Sequence, residues 1–312
     1  KCAFQSIERG KRTENNTPLK MNGLTIKEIP EGEYYTYLGL DESVGIDGPL
    51  NKQRIIVEYK RRVKKVWSSE LNGHNKVVAH NAFAVAIILP TIGILHWNKK
   101  EIKDLDVATR KLMTMNGGFH RASDIDRLYA DRKKGGRGVK NIEDAYESGM
   151  IGLMEYLESR EDASPLIKEV RENEKDRIMR LGKEFKYRIQ QLQPNGNIVD
   201  AMKSEHEKLW KEKVTHGYLQ KQLEDNSYID MNLTNKWLQL RLSSHIEGFV
   251  MAIQEQELDV KMTHKRREKD SNKKRNMDIK CRMCHTNDES VFHIICSCPI
   301  LAPTLYLAVR HN

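Results

Sequence analysis

The chain has 312 residues, 38% of them hydrophobic and 31% charged, long enough for two or three units with a real core. A mean hydropathy of −0.68 reads as soluble and globular, with no membrane partner. The formal charge of +9 points to a polyanionic partner, RNA or DNA, and nothing suggests a small-molecule substrate. Four of the five cysteines lie between 281 and 298, while Cys2 stands alone, which is not a disulfide framework. A reducing compartment, nuclear or cytoplasmic, is expected. No secretory signal is visible, the first residue is not Met, and residues 304–312 (TLYLAVRHN) read as a helix still running. A longer parent polypeptide is therefore expected.

In chain order, the first pattern is LKMNGLTIKEI at 19–29, where Asn22-Gly23 between alternating arms predicts a hairpin. YYTYLGL at 34–40 is aromatic and β-prone, so the first 40 residues read as the edge of a β-containing unit. Helix dominates afterwards. Over 51–70, Ile55, Ile56, Tyr59, Val63, Val66 and Trp67 recur at helical spacing, and Lys60, Arg61, Arg62, Lys64 and Lys65 crowd the remaining circumference. Such a helix either presents a solvated basic face over a core stripe or lies along a phosphate backbone. The second reading assumes that the face lacks acids to pair with its cations. An apolar helix is predicted over about 75–89. The apolar run at 82–95 has only 14 residues and contains Pro90, short of the ~20 that a bilayer span needs.

Between Arg121 and Lys140 stand seven basic residues against three acids, and Gly135, Gly136 and Gly138 interleave with Lys133, Lys134 and Arg137. Glycines let a backbone approach a ligand and neighbouring cations suit phosphate. Equally, Arg132 to Arg137 make a basic turn before a helix beginning at 142. Residues 158–225 are highly charged and read as long amphipathic helices, interrupted near Pro194-Asn195-Gly196, with Trp210 in the second stretch. From 261 to 280 there are nine Lys or Arg against three acids. Lys265, Arg266, Arg267, Lys273, Lys274 and Arg275 thus read as a flexible basic arm tracking a nucleic-acid backbone.

Directly behind that arm, Cys281, Cys284, His293 and Cys298 form C-x2-C-x8-H-x4-C. Three thiolates and an imidazole are the ligand set of a tetrahedral structural zinc ion, with no open position for catalysis. Cys296 and His285 remain open as substitute ligands. A unit this small needs the metal to fold.

No paired carboxylates, nucleophile elbow, zincin helix or dinucleotide fingerprint can be found. Tyr129-Ala130-Asp131 resembles the start of a polymerase Y-x-D-D motif, but Arg132 fills the fourth position. A cation there opposes the paired metal ions of phosphoryl transfer, so Asp131 reads as a loop residue.

The order of these motifs resembles the C-terminal part of a non-LTR retrotransposon reverse transcriptase, most like the site-specific elements with a restriction-like endonuclease. KCAF at 1–4, the hairpin and YYTYLGL resemble the last palm motifs; RLYADRKKGGRG at 127–138 resembles the thumb-to-linker segment and EGFVMAIQEQEL at 247–258 the linker; the Cys/His set resembles the zinc knuckle. The resemblance implies that Tyr37, Leu38 and Gly39 belong to a primer grip. It also implies that the polymerase and nuclease sites, with their magnesium ions, lie outside this chain. The expected fold is mainly α: a palm remnant with a β-hairpin at 1–40, a helical thumb at 41–117, a helical linker region at 118–260, and a basic arm with a zinc knuckle at 261–312. The expected function is template-primer and target binding by a non-catalytic fragment. Its rivals are a free-standing nucleic-acid-binding zinc protein and a helical scaffold for acidic proteins.

Overall fold

Asp47 begins the helical part of the molecule by accepting a hydrogen bond from Leu50 N, with Pro49 in the first turn of helix α1 (Gly48–Trp67). The computed structural model describes residues 3–303, except 10, 14–18, 31, 38, 43–44, 161–163, 173–175, 193–195 and 226–227. Leu38, Pro194 and Asn195, the first two residues of KCAF and the segment 304–312 therefore lie outside the described residues. Helix covers 61% and strand 9%, so the chain is mainly α with a few short N-terminal strands.

Those strands pair locally. Ala3–Phe4 runs parallel to Lys27–Glu28, and Lys20–Met21 pairs antiparallel with Leu24–Thr25 across the Asn22-Gly23 turn. Both turn residues have positive φ, 52° and 79°, as a two-residue hairpin requires. Tyr35–Tyr37 pairs with Leu40–Glu42. Asn51 seats this ribbon on α1, donating to Asp41 O at 2.9 Å and accepting from Asp41 N at 2.8 Å.

Helices follow as α2 (Gly73–Ala79), α3 (Lys99–Met115), α4 (Ile125–Tyr129), α5 (Ile142–Ser159), α6 (Pro165–Glu172), α7 (Arg177–Leu192), α8 (Ile198–Glu212), α9 (Tyr218–Asp225), α10 (Met231–Asn235), α11 (Ser244–Gln254), α12 (Lys261–Arg267) and α13 (Ser271–Asn276). The apolar helix predicted over 75–89 is α-helical only to Ala79. A π-turn (His80–Ala84) and two 3-10 turns then carry the chain to Thr91. Pro90 has no N–H to continue an α ladder, so the backbone tightens there.

The stripe Ile55, Tyr59, Val63, Val66 and Trp67 of α1 is buried as its spacing predicts. α1 packs on α3, α3 on α5, and α5 on α7; the Tyr59 hydroxyl meets Thr109 Oγ1 at 2.6 Å between α1 and α3. One apolar cluster runs from Leu40 to Met150 and so crosses residue 117, the division expected between the two main helical parts. A smaller cluster joins Ile151 and Met154 of α5 to Met179 and Ile189 of α7 and to Met202 of α8.

α11 closes the molecule electrostatically. Its Glu247, fully buried, pairs with Arg132 and, at 3.5 Å, with Arg137. Glu255 just beyond it takes Arg127 at 3.3 Å, and that guanidinium lies 4.7 Å over the Trp210 ring. Removing one partner of a buried ion pair strands the other, at a cost of about 3–5 kcal/mol. Glu247→Ala is therefore expected to lower stability by roughly that amount in urea denaturation. A change no larger than that of an exposed control, such as Glu172→Ala, would sink this account.

A second tie holds α8 to α4 and α5. His206 Nδ1 meets Asp126 at 2.9 Å, and Nε2 meets Asp144 at 3.0 Å. Burial opposes the imidazolium, but the two carboxylates outweigh it and push the pKa up from 6.5 to about 9. Because the folded value is the higher one, the tie is complete below pH 6.5 and is lost as pH rises through about 9. Hydrogen exchange in 198–212, corrected for intrinsic rate, should speed up across that window in the wild type and lose this dependence in His206→Ala. An unchanged pH profile in the variant would refute the assignment.

Candidate metal centre and basic surface

Cys281, Cys284, His293 and Cys298 converge, their ligand atoms all within 4.8 Å of one another. Donors bound tetrahedrally at ~2.3 Å (sulfur) and ~2.1 Å (nitrogen) stand roughly 3.5–3.8 Å apart, so small side-chain rotations close the set around one ion. The donor set can hold a metal ion and leaves no coordination position open. His285 and Cys296, the alternatives, are outside the cluster. His285 takes the left-handed turn position, φ 57°, that reverses the chain after Cys284, and its N–H bonds Cys281 O at 2.9 Å. Cys296 is exposed.

Local hydrogen bonds prepare the donors. The backbone N–H of Asn287 and the Thr286 hydroxyl stabilise the Cys284 thiolate, bringing its pKa down to about 5. Burial pushes the Cys281 thiol up, a cost that a bound cation offsets. His293 turns Nε2 toward Cys284 Sγ at 3.4 Å, while its Nδ1 lies 3.5 Å from Ser297 Oγ. That orientation presents Nε2 to the ion.

The segment 261–280, expected to be a flexible arm, instead contains α12 and α13. Acids outside the segment explain the difference. Fully buried Glu289 accepts from Lys261 N at 3.1 Å and Arg282 N at 2.8 Å. Arg282's guanidinium, 2.5 Å away, holds that carboxyl down to about 2. Glu257 takes Arg266 and Arg267 at 2.6 Å each.

The predicted nucleic-acid residues divide into two groups. Arg137 is fully buried and donates to Gly118 O, and to Ser244 O at 3.2 Å, so its expected exposure to phosphate is corrected. Arg132 is bound to Glu247 and Leu238 O, Lys134 to Glu207 at 2.7 Å, and Arg266 and Arg267 to Glu257. On α1, Glu58 pairs with Arg61 and Arg62 at 2.6 and 2.8 Å, correcting the expectation that this face lacks acids. By contrast Lys60, Lys64, Lys65, Lys133, Lys265, Lys273, Lys274 and Arg275 make no ion pair among the described residues. Tyr37 is exposed, and Gly39, at φ 86°, gives its carbonyl to Arg54.

The loop's glycines serve closure. A Cβ at 136 would stand 2.2 Å from Ala130 O, while Gly138 N bonds that same oxygen at 3.0 Å. Asp131 caps the turn Arg132–Lys134 by accepting from Lys133 N at 2.8 Å, in keeping with a loop residue. Sequence spacing missed Lys203 and Arg241, which with Lys140 of the basic loop are further cations without ion pairs among the described residues, because they come from separate segments. Comparison with protein-family models and with curated proteins finds no match to the chain.

Chelation should release one metal ion per chain and remove hydrogen-exchange protection in 261–303 while sparing the helices before it. Cys284→Ser should reproduce that local loss. Protection unchanged in both experiments would rule out a structural metal.

Proposed function

We propose that the chain is a non-catalytic, nucleic-acid-holding part of a reverse transcriptase polyprotein of the non-LTR retrotransposon type, with zinc in the Cys281, Cys284, His293, Cys298 cluster. Zinc suits the site because three thiolates and one imidazole complete a closed tetrahedral set. The parentage rests on the order of the sequence motifs, and the polymerase and endonuclease activities, with their magnesium, belong to the parent.

One observation carries the binding reading. After the internal ion pairs are assigned, runs of exposed cations remain on separate elements: Lys60, Lys64 and Lys65 on α1, and Lys273, Lys274 and Arg275 on α13. Unpaired cations on rigid elements are what a phosphate backbone neutralises, and counterion release then supplies affinity. α13 lies immediately before the metal loop, so the metal centre would stiffen one of these grips.

Titration of the zinc-loaded full chain with labelled single-stranded and duplex oligonucleotides tests the reading. Affinity should fall with salt by a log–log slope of about −0.7 to −0.9 per neutralised phosphate. Lys60→Ala/Lys64→Ala/Lys65→Ala should flatten that slope by roughly two to three units. Absence of binding at low salt, or binding indifferent to salt, defeats the proposal.

A further inference from the structure

Where the glycine-basic loop meets α2, α8 and the segment around α10, a two-lobed cleft opens. The first lobe, about 630 Å³, has Lys133, Arg241, Asn75, Asn232, Asn235 and Gln239 on its walls. The second, about 490 Å³, carries an apolar wall of Val77, Val78, Val199 and Met202, with Lys140 and Lys203 at its edge. His74, Asp131 and Arg132 line both, so the lobes adjoin. Each volume falls in the range of small-ligand sites.

Each lobe is also lined by a buried residue with one donor that has no partner among the described residues. Asn235 is 6% exposed and its Nδ2 has no hydrogen-bond partner; Arg137 is 0% exposed and its Nε has none. A buried N–H without an acceptor bears its full desolvation penalty. The four cations on the walls, Lys133, Arg241, Lys140 and Lys203, have no ion pair among the described residues. The acids present are already engaged: Asp131 caps Lys133 N at 2.8 Å, and Asp144 is held by His206 at 3.0 Å. The cleft thus carries unpaired cations in both lobes and an apolar wall in the second.

The geometry points to a binding cleft for one nucleotide of an unpaired strand, its phosphates between Lys133 and Arg241 and its base against Val77, Val78 and Met202. This rests on the nucleic-acid reading above and names its substrate as single-stranded. A recess of this shape admits a splayed base and excludes one held in a pair, while the base's flat face suits apolar packing without sequence choice.

The test uses the zinc-loaded full chain, a short labelled oligouridylate, a duplex of equal length, and uridine monophosphate as competitor. Lys133→Ala/Arg241→Ala should weaken oligouridylate binding by roughly tenfold or more and flatten its salt slope by about 1.4. Duplex affinity should barely change. Lys100→Ala/Lys111→Ala, which removes equal charge from the exposed face of α3, should cost roughly twofold at most. Val78→Glu, at a half-exposed wall position, should also weaken single-strand binding selectively. If the wild type binds with a salt slope but cleft and control variants lose affinity equally, the cleft assignment falls while the binding reading stands. If the wild type binds no oligonucleotide, both fall. Displacement of the strand by uridine monophosphate at concentrations near those of the oligomer would mean a free-nucleotide site and overturn the strand assignment.

Discussion

A single buried carboxylate, Glu247 on α11, organises the centre of this protein. It gathers Arg132 and Arg137 from a loop more than a hundred residues earlier in the chain. A Cβ at Gly73 would stand 2.3 Å from its carboxyl carbon, so a side chain there would push the carboxylate away from its arginines. One acid cannot satisfy this many cations, and backbone carbonyls supply the remainder. Arg137 turns to Gly118 O and Ser244 O, Arg132 to Leu238 O, and buried Lys76 to Trp67 O at 2.9 Å. Such a network is costly to break because each stranded charge is out of water.

The metal loop is joined to this centre through two more acids. Glu289 connects the start of α12 to the turn between Cys281 and Cys284. Glu257, just past α11, fastens the end of α12 through Arg266 and Arg267. A metal held by the cluster would therefore be tied, through Glu289, to the start of α12. Acids from outside the nine-cation segment 261–280 pair with Arg266, Arg267 and Lys280, the last with Asp288 at 3.1 Å.

Much of the local structure was legible in the chain. Asn22-Gly23 makes its hairpin, the α1 stripe is buried, and a helix begins at Ile142 where the basic loop ends. The four metal donors were readable because their spacing is itself the geometry of the turn. Glu58 was also visible at three and four residues from Arg61 and Arg62, and helical spacing alone pairs them. The division of the remaining cations was hidden. Arg137 inside and Lys133 outside stand four residues apart in one loop, and only the position of α11 separates their fates.

By itself, then, the sequence determined the helical periods, the turn chemistry and the Cys3His donor set, because each depends on neighbours a few residues away. Tertiary structure decided which cations are paired within the protein and which remain exposed without an ion pair among the described residues. It also decided that Lys133, Arg241, Lys140 and Lys203 face one cleft. The reason is physical: a charge's role depends on what desolvates and pairs it, and Glu247, which decides the fate of Arg132 and Arg137, lies more than a hundred residues from both.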